Sequence, residues 1–320
     1  MTAVMLIDQV ILKLRPPVKD YIWGGTRLRE EFGKESGGER LAESWELSCN
    51  ADGLSVIDGG EYDGVYLSEY IAEHPETMGE NCRKYSDFPI LIKLIDAKED
   101  LSIQVHPDDD YALKNEGKHG KNEMWYVLDC EADSHIIYGF RESITKEEFR
   151  RAVRDNTLME KLNYVPVKKG DVFMINAGTV HSIGKGCLMA EIQQNSNVTY
   201  RVYDYERRDG DGNLRELHIE KALDVMERVP SEITARHNGK ILIESDFFSV
   251  YKEDFDGVGN VMRNDKSFTH ILITDGFGII ESGDDSGEMR LNAEKGGSFF
   301  VPAGVNWRIK GKCSIIYTVI

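Results

Sequence analysis

The chain has 320 residues, enough for about two domains and a sizeable core, and its 41% hydrophobic and 30% charged composition excludes wholesale disorder. A formal net charge of −17 argues against a nucleic-acid backbone or an anionic membrane as partner, while a locally positive cleft for a small anion stays open. The five cysteines are odd in number, scattered and without a CxxC pair, which predicts reduced thiols rather than a disulfide framework.

The opening MTAVMLIDQVILKL lacks a basic leader and carries Asp8, and no apolar stretch approaches membrane-spanning length. The expectation is a soluble, cytoplasmic protein. Strand-like runs then follow in order: VILKLRP, WELSC, PILIKLID, LSIQVHP, MWYVLDC, SHIIYGF, DVFMINA and LMAEIQQ, then ILIES, FFSVYKE, THILITD and SFFVPAG. Turn signals DGG, DGDGN, SGDDSG and KGG separate them. SEYIAEHPETMGENCRKY reads as a helix broken by Pro75 and Gly79. Ser143 is the expected cap of ITKEEFRRAVRDNTLMEKLNY, and LHIEKALDVMERV places Ile219, Ala222, Leu223 and Met226 at helical spacing. The pattern predicts a mainly β protein with small helical insertions.

Four residues stand out chemically: Gln104 and His106 in LSIQVHP, Glu123 in KNEMWYV and His181 in NAGTVHSI. Their oxygen and nitrogen donors suit a borderline divalent ion such as Zn2+. Gln104 and His106, two apart, leave one face of a strand, and Pro107 makes the chain turn away there. Three strands presenting donors over long gaps predict a metal site on a β scaffold of the cupin type, unlike a zinc finger. Lys121, two residues before Glu123, falls on the same face if the strand extends that far, and is otherwise a loop lysine.

An internal repeat supports a double architecture. Lys169–Gly178 (KGDVFMINAG) matches Lys295–Gly304 (KGGSFFVPAG), which sets Trp307 in the register of His181. The upstream strands EMWYVLDC and THILITDG also correspond, but the second has no acidic ligand. The expectation is two cupin-like (jelly-roll) β-barrels. Residues 1–235 form a metal-binding catalytic domain with helical insertions, and residues 236–320 form a degenerate cupin-like domain, so one Zn2+ per chain is expected.

With these motifs in view, the chain resembles the type I phosphomannose isomerases in their short bacterial form. The resemblance spans nearly the whole length: Trp23-Gly24-Gly25 with Leu28, Glu43-Ser44-Trp45-Glu46-Leu47-Ser48, Leu101–Asp108, and Asn197-Val198-Thr199-Tyr200-Arg201-Val202-Tyr203-Asp204. It implies one zinc on Gln104, His106, Glu123 and His181, a catalytic Arg201, and phosphate contacts from Ser102 and Lys93. It also implies interconversion of mannose 6-phosphate and fructose 6-phosphate. For such chemistry, Glu191 in LMAEIQQ is a candidate base if it faces the cavity and a partner of the site's residues if it does not, while Lys121 and Arg201 would stabilise an enediolate. Asp204 and Tyr203 are expected to be scaffold. The implied partner is a small sugar phosphate, with no nucleic acid or membrane and the oligomeric state undecided. A metal-stabilised sugar sensor and a cupin dioxygenase are the alternative readings, although Gln104 stands where dioxygenases favour a histidine.

Overall fold

The computed structural model describes residues 10–208, 212–233, 235–237, 239–283 and 289–320. The opening segment up to Gln9, and most of the turns DGDGN and SGDDSG, lie outside the described residues.

Three sheets dominate the fold, which is mainly β and cupin-like. A central seven-stranded sheet runs in the order Ala235–His237, Asp171–Ile175, Glu123–Cys130, Cys187–Gln194, Ile90–Ala97, Glu43–Leu47 and Val18–Lys19. A facing sheet of five strands has the order Leu162–Pro166, His135–Phe140, His181–Ile183, Ile103–Val105 and Tyr200–Tyr203. The two sheets lie face to face as a sandwich and are not closed by hydrogen bonds into one continuous barrel.

Alternation along each strand decides what the central sheet shows to each side. Trp125 and Val127 point into the sandwich with Phe173, Ile175 and Met189, against Ile136, Tyr138 and Ile183 of the facing sheet. Met124, Tyr126 and Leu128 point the other way, into a core shared with Leu12, Leu242, Val250, Leu272 and Phe300. The outer side of the facing sheet is covered by the helices Lys146–Arg154 and Ile219–Val225, which bury Phe149, Ala152, Ala222 and Leu223. The first of these helices is capped by Thr145 rather than Ser143. The Thr145 hydroxyl accepts from Glu148 N, and the Glu148 carboxylate accepts from Thr145 N in return.

Apart from a two-stranded ribbon of Cys49–Asn50 and Gly53–Leu54, the remaining strands form a third, eight-stranded sheet around Thr269–Ser282 and Trp307–Val319. It encloses its own apolar cluster of Ile271, Ile273, Ile280, Phe299, Trp307 and Ile315. Leu12–Arg15 joins this sheet by pairing antiparallel with Ser298–Val301 on one side and with Val56–Ile57, the edge strand, on the other.

The two repeated segments occupy matching places. Ile175 pairs with Glu123, and Val301 pairs with Thr269. Gly170 N donates to Val127 O just as Gly296 N donates to Ile273 O, and both glycines hold a positive φ, 91° and 86°. Thr269 therefore stands where the central sheet has Glu123. Trp307 opens its strand as His181 opens its own.

Candidate active site

Two rows of paired residues meet inside the sandwich. Across the central sheet, Phe173, Trp125, Glu191 and Lys93 are successive cross-strand partners. Across the facing sheet, Tyr138, His181, Gln104 and Arg201 form the corresponding row. Directly paired residues project to the same face, so sheet register alone aims most of the chemically competent side chains into one space.

At the deepest point lie His106, Glu123 and His181, all fully buried, with ligating atoms within 4.8 Å of one another. The two Nε2 atoms are 3.2 Å apart, and they approach the Glu123 carboxylate at 3.5 Å from His106 and 3.3 Å from His181. The Gln104 carboxamide is 3.4 Å from His181 Nε2. Four tetrahedral donors around one ion at zinc distances stand about 3.3 Å apart, so this set has the spacing of a coordination shell.

Protonation agrees with that reading. His106 Nδ1 pairs with Val198 O at 2.9 Å and His181 Nδ1 with Thr179 O at 2.8 Å. A carbonyl oxygen accepts only, so each Nδ1 carries the hydrogen and each Nε2 turns a lone pair inward. Burial lowers both imidazoles, His181 to about 4, which keeps them neutral at pH 7. Neither Glu123 oxygen accepts a well-directed hydrogen bond. The Lys121 ammonium meets part of this cluster, 2.6 Å from Glu123 Oε2 and 3.3 Å from His106 Nε2, and the inward lone pairs with the carboxylate are a donor set that fits a divalent metal ion.

The turn geometry comes from local sequence. The strand Ile103–Val105 ends before His106-Pro107, and Asp108 then caps the helix Asp109–Glu116 by accepting from Tyr111 N at 2.9 Å. Gly178, with φ 87°, donates its N–H to His106 O at 2.9 Å and so ties the two histidine-bearing turns together.

Above this floor opens a cleft of about 400 Å³, lined by Ser102, Gln104, Lys93, Lys121, Glu191 and Arg201 together with the aromatic walls Tyr21, Trp23, Trp45 and Trp125. That volume suits a small ligand. Lys121 Nζ lies 2.6 Å from Glu123 Oε2 and 3.8 Å from Glu191 Oε1. Lys93 Nζ is 3.1 Å from Glu191 Oε1 and 3.7 Å from Glu43 Oε2, and sits over the Trp45 ring. Glu191 Oε2 accepts from Trp125 Nε1 at 3.0 Å. Burial would raise the Glu191 carboxyl, but the Lys121 and Lys93 ammonium groups outweigh it and hold it low. Burial, reinforced by the Glu191 charge, raises Glu123. Burial opposes the charge on Lys93, yet Glu43 and Glu191 more than compensate and raise it, so it stays protonated.

Arg201 is half-buried and its Nη1 donates to Glu216 O at 3.0 Å, while its buried Nε has no hydrogen-bond partner. The candidate site residues of the sequence thus border one site: His106, Glu123 and His181 with Gln104 at its floor, and Lys93, Ser102, Lys121, Glu191 and Arg201 on its walls. Asp204 faces two arginines, consistent with scaffold. Sequence reasoning missed Glu43 and Trp45 as wall residues, although their i, i+2 spacing on a strand is the signal that puts them on one face. It also missed Arg215, which comes from irregular chain and carries no periodic signal. A larger groove of about 1090 Å³ touches this cleft only at Asp52 and Asn197 and contains none of the candidate residues.

Residues 11–137 match the family described as phosphomannose isomerase type I, catalytic domain, and residues 238–320 match the mannose-6-phosphate isomerase cupin domain. The mannose-6-phosphate isomerase of Streptococcus mutans is 39% identical over 313 residues, covering 95% of this chain and 96% of that one. The chain belongs to the type I phosphomannose isomerases. A second family relative, mannose-6-phosphate isomerase ManA of Bacillus subtilis, is also 39% identical, over 95% of this chain and 97% of its own. The crystal structure of the mannose 6-phosphate isomerase from Bacillus subtilis superposes with a TM-score of 0.87 at 37% identity, covering 97% of this chain and 99% of that one. In this phosphomannose isomerase fold, the matched catalytic segment supplies Gln104, His106 and Glu123 directly, and His181 arrives from the strand paired with Gln104.

Proposed function

We propose that the enzyme interconverts mannose 6-phosphate and fructose 6-phosphate through a cis-enediol, with one zinc ion held by Gln104, His106, Glu123 and His181. The observation that carries this reading is the buried His106–Glu123–His181 cluster, set at the floor of a cleft whose walls present the carboxylates of Glu43, Asp52 and Glu191, two lysines and two arginines. When bound, the ion would act as a Lewis acid on the sugar carbonyl.

The chain's own residues account for the proton movements. Glu191, fixed by Trp125 and Lys93, takes the C2 proton of the open-chain aldose and returns it to C1. The O2 hydroxyl loses its proton as the C1 oxygen gains one, so the isomerisation is redox-neutral overall. Lys121 and Arg201 stabilise the negative charge on the enediolate oxygens. Ser102 and Lys93 donate hydrogen bonds to the phosphate. The aromatic walls limit water at the reacting carbons.

We read residues 1–235 as the catalytic unit and 236–320 as a degenerate cupin-like unit without a metal, a reading supported by Thr269 and Trp307 in the places of Glu123 and His181. Its five free cysteines suit a reducing cytoplasm, where a phosphorylated sugar is available. Among the described residues no helix is long and apolar enough to cross a membrane.

The test is turnover of mannose 6-phosphate by the purified chain, with loss on chelation and recovery with zinc. Binding of the sugar without turnover would establish a sensor instead, and oxygen consumption would establish a dioxygenase.

A further inference from the structure

We infer that Arg215, positioned by Asp204, is a phosphate-recognising residue of this site and supplies the charge that selects a phosphorylated sugar. The inference rests on the isomerase reading above and deepens it.

Charge is divided unevenly between the depth of the cleft and its outer part. In the depth, Lys93 and Lys121 face three carboxylates, Glu43, Glu123 and Glu191. That region is left with an excess of negative charge, so Lys93 and Ser102 can donate hydrogen bonds to a phosphate but do not balance its charge. The Lys93 ammonium donates hydrogen bonds there, but its charge is already matched by two acids.

The outer part is the reverse. Asp204 carries one carboxylate for two guanidinium groups. Arg215 Nε lies 2.6 Å from Oδ2 and Arg215 Nη2 2.5 Å from Oδ1, while Arg207 Nη2 also lies 2.5 Å from Oδ1. Arg207 spends a further donor on Asp100 O. Arg201 adds a third guanidinium, whose Nη1 donates to the Glu216 backbone carbonyl. Glu216 is turned to solvent beside His218, and the Asp52 carboxylate is taken by the Asn197 carboxamide at 2.8 Å. Arg201 and Arg215 both line the cleft, and they are close enough that Arg215 helps lower the Arg201 pKa, after burial. Arg215, held with Arg207 on one buried aspartate and lining the cleft beside Arg201, presents positive charge to a dianion of about −1.5 to −2.

The bidentate Asp204 contact gives Arg215 its role. It fixes the guanidinium plane through one edge and leaves Nη1 for a ligand, so little side-chain freedom is lost on binding. The sugar phosphate is thereby oriented, with its carbonyl end toward the metal floor and Arg201, and its phosphate held by Arg215 together with the Ser102 and Lys93 donors.

The experiment compares wild type with Arg215→Ala and Arg215→Lys, measuring kcat and KM for mannose 6-phosphate, inhibition by inorganic phosphate, and metal content. Arg207 still pairs with Asp204 in both variants, which keeps the carboxylate compensated and the fold intact. Arg215→Ala is expected to raise KM by about 10²-fold with a smaller change in kcat, to weaken phosphate inhibition by a comparable factor, and to retain its metal. Arg215→Lys is expected to recover part of both losses, since it restores charge without the planar fork. Wild-type KM and phosphate inhibition in a folded Arg215→Ala, or an equal loss on kcat alone, would overturn the inference. Should Arg215→Ala fail to fold, Arg215→Lys with unchanged KM and phosphate inhibition would overturn it equally. A wild type that binds phosphate through Arg215 yet turns over no sugar phosphate would overturn the isomerase reading and leave this one standing.

Discussion

Arg201 and Gln104 are direct cross-strand partners, and Gln104 is paired on its other side with His181. A proposed catalytic guanidinium, a proposed metal ligand and a second ligand therefore share one transverse row of the facing sheet. The spacing between charge stabiliser and metal is set by interstrand geometry, which is stiffer than any loop.

From that arrangement Arg201→Ala is expected to lower kcat by about 10²-fold or more, the loss typical of one preorganised donor, with bound metal unchanged. Arg201→Lys is expected to rescue only in part, because an ammonium lacks the two-pronged contact. Turnover, metal content and melting temperature measured together check this. A loss explained wholly by unfolding would remove Arg201 from the chemistry.

His106→Ala and His181→Ala are each expected to abolish tight zinc binding and turnover together, with about one ion per wild-type chain. Gln104→Glu keeps an oxygen donor and is expected to bind zinc well but turn over more slowly, since added negative charge weakens the Lewis acid. Metal analysis after mild chelation is the readout, and two equally tight ions per chain would contradict the assignment of Thr269 and Trp307 as non-ligands.

His270 sets a pH dependence of stability. It is buried in the third sheet, with Nε2 2.9 Å from Ser298 Oγ, and burial, aided by the Lys34 charge, lowers its pKa from 6.5 to about 3. A depressed histidine is neutral when folded and takes up a proton when unfolded, so its contribution is present above about pH 6.5 and is lost as pH falls toward 3. The slope is about 1.4 kcal/mol per pH unit for one proton. Urea titrations across pH 7 to 4 are expected to show that slope flattened in His270→Asn by one proton. An unchanged slope would show that His270 is not the titrating group.

The buried pair Lys34–Glu46 joins the two halves of the molecule. Lys34 Nζ lies 2.7 Å from Glu46 Oε2 and donates to Gly296 O at 2.6 Å, and Glu46 is fully buried. Lys34→Met strands the carboxylate and is expected to cost roughly 3–5 kcal/mol, whereas Lys34→Met with Glu46→Leu is expected to recover most of it. Denaturant melts of the single and double variants measure the difference.

Much of the site was legible because strand periodicity is strict. Once Glu123 sits on a strand, Trp125 must share its face, and pairing brings Glu191 beside Trp125, whereas Lys121 precedes the strand and reaches the site from the adjoining loop. The helix cap at Thr145 was equally readable: three residues on stands Glu148, which closes a capping box, whereas Ser143 is followed at that spacing by Lys146. Two things were not legible. Arg215 reaches the cleft from chain without periodicity. The approach of Glu43 to Lys93 depends on which distant strands become neighbours, and local pattern does not encode that.

The pairing of Leu12–Arg15 with Ser298–Val301 has a consequence for biosynthesis. Leu12 leaves the ribosome well before its partner Phe300. Until then this strand can pair on one side only, with Val56–Ile57, and the apolar Leu12 and Leu14, buried in the finished protein, lack part of their cover. The third sheet therefore completes only after Ser298–Val301 has been translated. A truncated transcript that encoded a perfect catalytic sandwich would still present an unpaired strand edge, marking it for chaperones or proteases before it reached the sugar phosphate pool.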